Sequence, residues 1–193
     1  MIIGITGGSG CGKTTLLNLI AQQGGLVLDC DAIYHTLLQS DGEMLSAIEN
    51  RFPGVVEAGT LNRKKLGRVV FSGPAALADL NAITHREVKK AVLEALACAP
   101  RLAAIDAIGL FEGALAPLCD TTVAVLAPRE DRIRRLVARD GISVEYAASR
   151  IDAQHEDGWF REKCDYVLEN CGTQAQFRDK CLAFFASLGI MNS

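Results

Sequence analysis

Eight residues near the amino terminus, Gly7-Gly8-Ser9-Gly10-Cys11-Gly12-Lys13-Thr14, hold the densest chemistry in the chain. Glycine, four residues, then Gly-Lys-Thr is the spacing of a phosphate-binding P-loop. The glycines allow backbone conformations with positive φ that side chains would obstruct. They also leave successive N–H groups, among them those of Gly8, Gly10, Cys11 and Gly12, free to point inward at phosphate oxygens. Lys13 can reach the β and γ phosphates as a mobile point charge. Thr14, followed by Thr15, starts a helix whose N-terminal dipole favours anions, and its hydroxyl can face a magnesium ion.

Further along, Asp29-Cys30-Asp31 follows the apolar run Leu26-Val27-Leu28. In an open α/β sheet the carboxyl ends of strands gather around the ligand crevice. Two acids there can serve a metal-bound water and a proton acceptor for an attacking hydroxyl. They can also cap the next helix, which would explain one acid more easily than two. Asp106 ends another apolar run, Leu102 to Ile105, at a Walker B-like position, and Glu112 follows in Gly109-Leu110-Phe111-Glu112. Asn81, Thr84 and His85 interrupt an apolar helical stripe and suggest a polar wall. Leu61 to Phe71 is basic and amphipathic, which fits a solvated helix face and a set of cations for a polyanionic substrate equally well. Arg129, Arg132, Arg134, Arg135, Arg139 and Arg150 crowd one segment, where guanidinium forks suit phosphates.

The elements that must position these groups are readable from periodicity and punctuation. Short apolar runs at Ile2–Ile5, Leu26–Leu28, Leu102–Ile105, Thr121–Leu126 and Tyr166–Leu168 read as five buried strands. The first helix carries Leu16, Leu17, Ile20 and Ala21 on one face and ends near Gly24-Gly25. A second is expected from Ala32 to about Gln39. Residues 41–73 read as helix and loop with a turn at Pro53-Gly54. Pro74 opens a long helical pattern running to Pro100. Pro128 opens a helix that Gly141 breaks, and Ser143 caps another running towards Gln154. Thr173 with Gln176 forms a capping box for the last helix.

The chain has 193 residues, 49% hydrophobic and 22% charged, with a formal net charge of −3. That suits one soluble globular domain with a sizeable core. It gives no support for a nucleic-acid or membrane surface, and no apolar run is long enough to span a bilayer. The sequence opens directly on its first apolar run, so a cytoplasmic location is expected. The seven cysteines form no Cys-x-x-Cys pair and read as reduced thiols, with Cys11 in the loop as a possible oxidation-sensitive exception.

Together these motifs make the chain resemble dephospho-CoA kinase over nearly its full length. The family's T-G-G-x-G-x-G-K-[ST]-T fits Thr6 to Thr15, and its D-x-D fits Asp29 and Asp31. L-x-R-x-x-L with V-F fits Leu61, Arg63, Leu66, Val70 and Phe71. L-N-x-I-x-H fits Leu80, Asn81, Ile83 and His85, and L-F-E fits Leu110 to Glu112. R-I-x-x-Q fits Arg150, Ile151 and Gln154, and N-x-G fits Asn170 and Gly172. The chain departs at Arg86, where the family usually has Pro, and at Ile108-Gly109, which lacks the proline usual before L-L-F-E. Arg86 would let two helices run on as one.

The resemblance implies an α/β P-loop three-layer sandwich with a five-stranded parallel sheet, a helical acceptor-binding insertion and a helical lid. The single domain 1–193 would divide into a core (1–31, 101–128, 159–193), an acceptor region (32–100) and a lid (129–158). The implied reaction moves a phosphoryl group from ATP, with Mg2+, to the ribose 3′-hydroxyl of dephospho-CoA, the last step of coenzyme A biosynthesis. Asp31 would be the base, with Asp29 supporting it or the metal alongside Thr14. Lys13, Arg135, Arg139 and Arg150 would neutralise phosphoryl charge. Arg63, Asn81, His85 and Glu112 would face the acceptor with the Asp pair, and Asn170 and Gly172 would border adenine. A monomer or weak oligomer is expected. Two rivals are another small-molecule P-loop kinase, for nucleosides or nucleoside monophosphates, and a GTPase-type switch. Asp106-x-x-Gly109 suits the switch, but no N-K-x-D motif is present to select guanine.

Overall fold

The computed structural model describes residues 1–40 and 42–190. Residue 41 and residues 191–193, over which the helical and one-domain expectations also run, lie outside the described residues.

In chain order the first elements are β1 (Ile2–Thr6), α1 (Lys13–Gln22), β2 (Leu26–Asp29), α2 (Cys30–Ser40) and α3 (Gly42–Arg51). A two-residue antiparallel ribbon follows, β3 (Val56–Glu57) with β4 (Thr60–Leu61), and then α4 (Arg63–Val70) and α5 (Pro74–Ala97). Next come β5 (Ala103–Asp106), β6 (Thr121–Leu126), α6 (Arg129–Asp140), α7 (Val144–Asp152), α8 (Asp157–Lys163), β7 (Tyr166–Glu169) and α9 (Gln174–Ser187). The main sheet has the order β2-β5-β1-β6-β7, with β1 parallel to both β5 and β6, and β6 parallel to β7. All five expected strands are present in it.

The chain divides into two compact units. One comprises Met1–Leu28, Ala99–Phe111 and Leu115–Ser193; the other comprises Asp29–Cys98 and Glu112–Ala114. In the first, side chains alternate across the strands, so the sheet needs cover on both faces. Ile3, Ile5, Val123 and Val125 pack on one face with Leu16, Leu19 and Ile20 of α1 and Phe177, Phe184 and Phe185 of α9. Ala124 and Leu126 of the other face pack with Phe160 of α8. Gly4 makes room for two neighbours here, since a Cβ would meet Cys119 Sγ at 2.8 Å and Leu110 Cδ2 at 2.9 Å. The second unit has its own core, in which Leu38, Met44, Ile48, Phe52, Leu66 and Val70 are buried and Leu80 and Ile83 of α5 pack against them.

Local signals behave as expected. Pro74 occupies the first turn of α5, which runs unbroken through Arg86. The capping box of Thr173 and Gln176 is complete. Ser143 Oγ accepts from Tyr146 N at 3.2 Å and caps α7. Two elements have no counterpart in the sequence reading. The β3–β4 ribbon is too short to show alternation. Helix α8 is seven residues long and contains Gly158, so periodicity barely registers.

Candidate active site

The strand–loop–helix unit from β1 to α1 builds the anion site. Gly7, Gly10 and Gly12 take φ values of 129°, 80° and 98°, conformations that glycine alone reaches cheaply. At Gly7 crowding adds a second reason, since a Cβ would sit 2.2 Å from Val125 O of the neighbouring strand. Lys13 Nζ donates to Gly7 O at 2.9 Å and lies 4.0 Å from Asp106 Oδ1, so the ammonium is held back along the loop. Asp106, at the carboxyl end of β5, therefore belongs to this constellation, although a single strand-end acid was a weak signal in sequence. Thr14 is exposed in the first turn of α1, with Thr15 half-buried beside it.

Helix α6 and the end of β7 hold the loop in shape. Arg135 Nη1 donates to Gly10 O at 3.1 Å and Cys11 O at 3.2 Å. Asn170 is buried; its Nδ2 donates to Cys11 O at 2.8 Å and its backbone N to Leu126 O at 2.8 Å. Its side-chain N–H is thus committed to the P-loop, a positioning role that the sequence reading, which put Asn170 at the adenine, did not contain. Gly172 lies in the exposed turn before α9, where a Cβ would meet Gln176 Oε1 at 2.3 Å. The Gly10 and Cys11 carbonyls face α6 and the end of β7, while Ser9 N donates to Gln154 Oε1 at 2.9 Å and Cys11 N to Gly8 O at 3.3 Å.

The other two arginines expected over the phosphates are placed differently. Arg139 donates to Asp140 through Nε (2.6 Å) and Nη2 (3.0 Å), and Arg150 Nη1 donates to the same carboxylate at 3.0 Å. That pairing holds the Asp140 carboxyl below its ordinary range, chiefly through the Arg139 hydrogen bond. Arg132 is the residue that sequence reasoning passed over. It is 5% exposed; its Nε donates to Ser9 O at 3.0 Å and its Nη2 to Gln154 Oε1 at 2.8 Å. In an arginine-rich helix, only a burial pattern could have singled it out.

Cys11 is fully buried, and burial pushes its thiol above the ordinary value despite the opposing charges of Arg132 and Lys13. A buried, protonated thiol is inert, which corrects the expectation of an oxidation-sensitive cysteine. All seven cysteines are free.

The remaining expected residues lie in the second unit. Asp29 Oδ1 accepts from Ala32 N at 3.0 Å, so Asp29 does cap α2, while Asp31 stands exposed in that helix's first turn. Capping thus accounts for Asp29, and Asp31 has no such role. Arg63 is exposed at the start of α4, with Nη2 3.4 Å from His35 Nδ1. Lys65 of the basic stretch is paired with Glu57. On α5, Asn81 is exposed, His85 half-buried and Thr84 buried, its hydroxyl donating to Asn81 O at 3.1 Å. The three share a helix face by their spacing. Glu112 is exposed in the turn after β5.

A family model described as dephospho-CoA kinase matches residues 1–176. A dephospho-CoA kinase from Thermus thermophilus is 37% identical over 190 residues, covering 97% of this chain and 92% of the relative. One from Deinococcus radiodurans is 39% identical over 174 residues, covering 88% and 84%. Among solved structures, a Thermus thermophilus protein superposes with a TM-score of 0.82 at 34% identity, covering 100% of this chain and 98% of that one. A shikimate kinase from Bacteroides thetaiotaomicron, at 18% identity and a TM-score of 0.57 over 98% of both chains, shares the fold. With matches of this extent, and with an intact P-loop in place, the chain belongs to the dephospho-CoA kinase family.

Proposed function

We propose that this chain transfers the γ-phosphoryl group of ATP to the ribose 3′-hydroxyl of dephospho-CoA, giving ADP and CoA. The observation that carries the reading is the P-loop, shaped by three positive-φ glycines and braced through its carbonyls, inside a chain of this family. Such transfer depends on positioning and electrostatics more than on covalent chemistry.

The residues divide the work as follows. The loop N–H groups and the α1 dipole hold the β and γ phosphates. Lys13 leaves Gly7 O and follows the transferring group, while Arg135, Arg139 and Arg150 neutralise charge, the last two after exchanging Asp140 for phosphate. Asp31 accepts the proton of the attacking hydroxyl, with Asp29 orienting it. Arg63, Asn81, His85 and Glu112 bind the acceptor, and the turn around Asn170 and Gly172 borders adenine through backbone groups. In this scheme the acceptor region is 32–100, the lid 129–158 and the core the remainder, and the protein works as a cytoplasmic monomer or weak oligomer.

Among the described residues, no group of three or more His, Cys, Asp or Glu side chains is placed to hold a metal on its own. That suits Mg2+, which uses one or two protein oxygens and completes its shell with phosphates and water. Thr14 and Asp29 offer hard oxygens of this kind. Bound there, the ion would neutralise charge developing between the β and γ phosphates.

A coupled ADP-release assay tests the reading. ATP turnover should depend on dephospho-CoA and be negligible with nucleosides, nucleoside monophosphates or shikimate. Robust turnover of one of these without dephospho-CoA turnover would overturn it.

A further inference from the structure

Arg132 is a buried cation set behind an anion-binding loop. Arg132 is 5% exposed, and both hydrogen bonds of its guanidinium end on neutral oxygens, Ser9 O and Gln154 Oε1. Among the described residues no carboxylate lies within ion-pair distance of it; the nearby Asp152 is taken by three hydrogen bonds from Arg129. Charges removed from water are ordinarily paired, because desolvation is costly and a buried counter-charge offsets it. Here the acidic neighbour, Asp152, acts on Arg132 only from beyond ion-pair distance and is itself paired with Arg129.

The loop is built around this side chain. A Cβ on Gly8 would sit 2.0 Å from Arg132 Nη2, and one on Gly10 would sit 2.8 Å from Arg132 O. Gly8 thus leaves room for the guanidinium, and Gly10 for the α6 backbone at the same position. Gln154 completes the frame: its Oε1 accepts from Ser9 N at 2.9 Å as well as from Arg132, and its Nε2 donates to Ser9 Oγ at 2.9 Å. Ser9 is held on its N–H, carbonyl and hydroxyl at once, so the charge is fixed in place relative to the loop. The field of Arg132 is already felt at Cys11, whose thiol it acts to lower.

We propose that Arg132 is a positioning residue for the nucleotide's phosphates, the polyphosphate adding to the counter-charge that Asp152 supplies only from beyond ion-pair distance. The guanidinium fixes the Ser9 carbonyl and adds to the loop a second positive charge besides the Lys13 ammonium, the two acting together at Cys11. In a water-poor setting that charge is screened little. The free protein holds a buried cation whose acidic neighbour is shared with Arg129, and binding adds a further counter-charge. The inference rests on reading Gly7–Thr14 as the triphosphate site.

Isothermal titration of the full chain with inorganic tripolyphosphate and with ATP, alongside melting of the free protein, tests it. Arg132→Gln should weaken both ligands by about tenfold, while the melting temperature of the free protein stays level or rises. Arg132→Lys, which keeps the charge and loses the fork, should recover most of the affinity. A merely structural arginine would behave in the opposite sense: the Gln variant would melt lower or fail to fold, and the Lys variant would bind as weakly as Gln. Either result, or Gln binding within twofold of the parent, overturns the inference. If the parent chain itself ignores tripolyphosphate, the P-loop reading fails first and the inference falls with it.

Discussion

Gly12 and Asn170 are 158 positions apart in sequence and meet at one point, so their energetics must be coupled. A Cβ on Gly12 would lie 2.3 Å from Asn170 Nδ2, and Gly12 sits at φ 98°. Gly12→Ala therefore carries two costs. The left-handed backbone costs an alanine about 1–2 kcal/mol. The clash forces the Asn170 amide aside and breaks its 2.8 Å bond to Cys11 O. That carbonyl keeps Arg135 Nη1 at 3.2 Å, so the lost bond and the displaced buried amide together cost about 1–2 kcal/mol. Asn170→Ala alone forfeits the same bond and costs about as much, since its backbone bond to Leu126 O remains. In the double variant the bond is lost only once and the clash is absent. Urea unfolding of the four proteins should accordingly give a sub-additive cycle, with a coupling of about 1–2 kcal/mol. Additivity within about 0.5 kcal/mol would refute the account of how the loop is held.

Three other outcomes are expected. Asp31→Asn should leave ATP affinity intact while phosphoryl transfer falls by about 10²- to 10⁴-fold; near-normal turnover would give the proton to another group. Asp165 accepts from Thr122 Oγ1 and Thr122 N, both at 2.8 Å, and the Thr122 hydroxyl followed by its N–H holds the carboxyl below its ordinary value. Because the folded-state pKa is depressed, the stabilisation is present above the unfolded carboxylate value and is lost as pH falls through the folded one. The parent and Asp165→Ala should therefore differ by a constant melting-temperature gap at neutral pH that closes in acid; a gap independent of pH would contradict this. Alkylation of the native protein should stop at the exposed Cys98 and Cys171, read by intact mass. Burial leaves Cys11 protonated and pushes Cys119 up to about 12 and Cys164 and Cys181 up to about 11. Prompt labelling of Cys11 would contradict the packing of the loop.

What the sequence made legible was local. The P-loop, the capping box at Thr173 and the proline at the start of α5 are each written in a handful of adjacent residues, and each is found in place. The five strands were legible because parallel strands buried on both faces leave short apolar runs. The interactions of Arg132 and Asn170 were hidden because they are tertiary. Six arginines in one segment look alike until the fold buries one, and an Asn beside a strand end carries no sign that its partner is Cys11 O. Asp29 and Asp31 show the intermediate case. Spacing allowed both capping and chemistry, and only the Ala32 N–H contact assigns the cap to Asp29.

The most direct measurement follows the phosphoryl group itself. Incubation with ATP carrying a labelled γ-phosphate and with dephospho-CoA, followed by phosphorus NMR and mass analysis of the product, should give one ADP per acceptor consumed. The label should appear as a monophosphate ester on the ribose 3′-oxygen. Label recovered as free phosphate at a rate indifferent to dephospho-CoA, or on a different acceptor oxygen, would contradict the assignment.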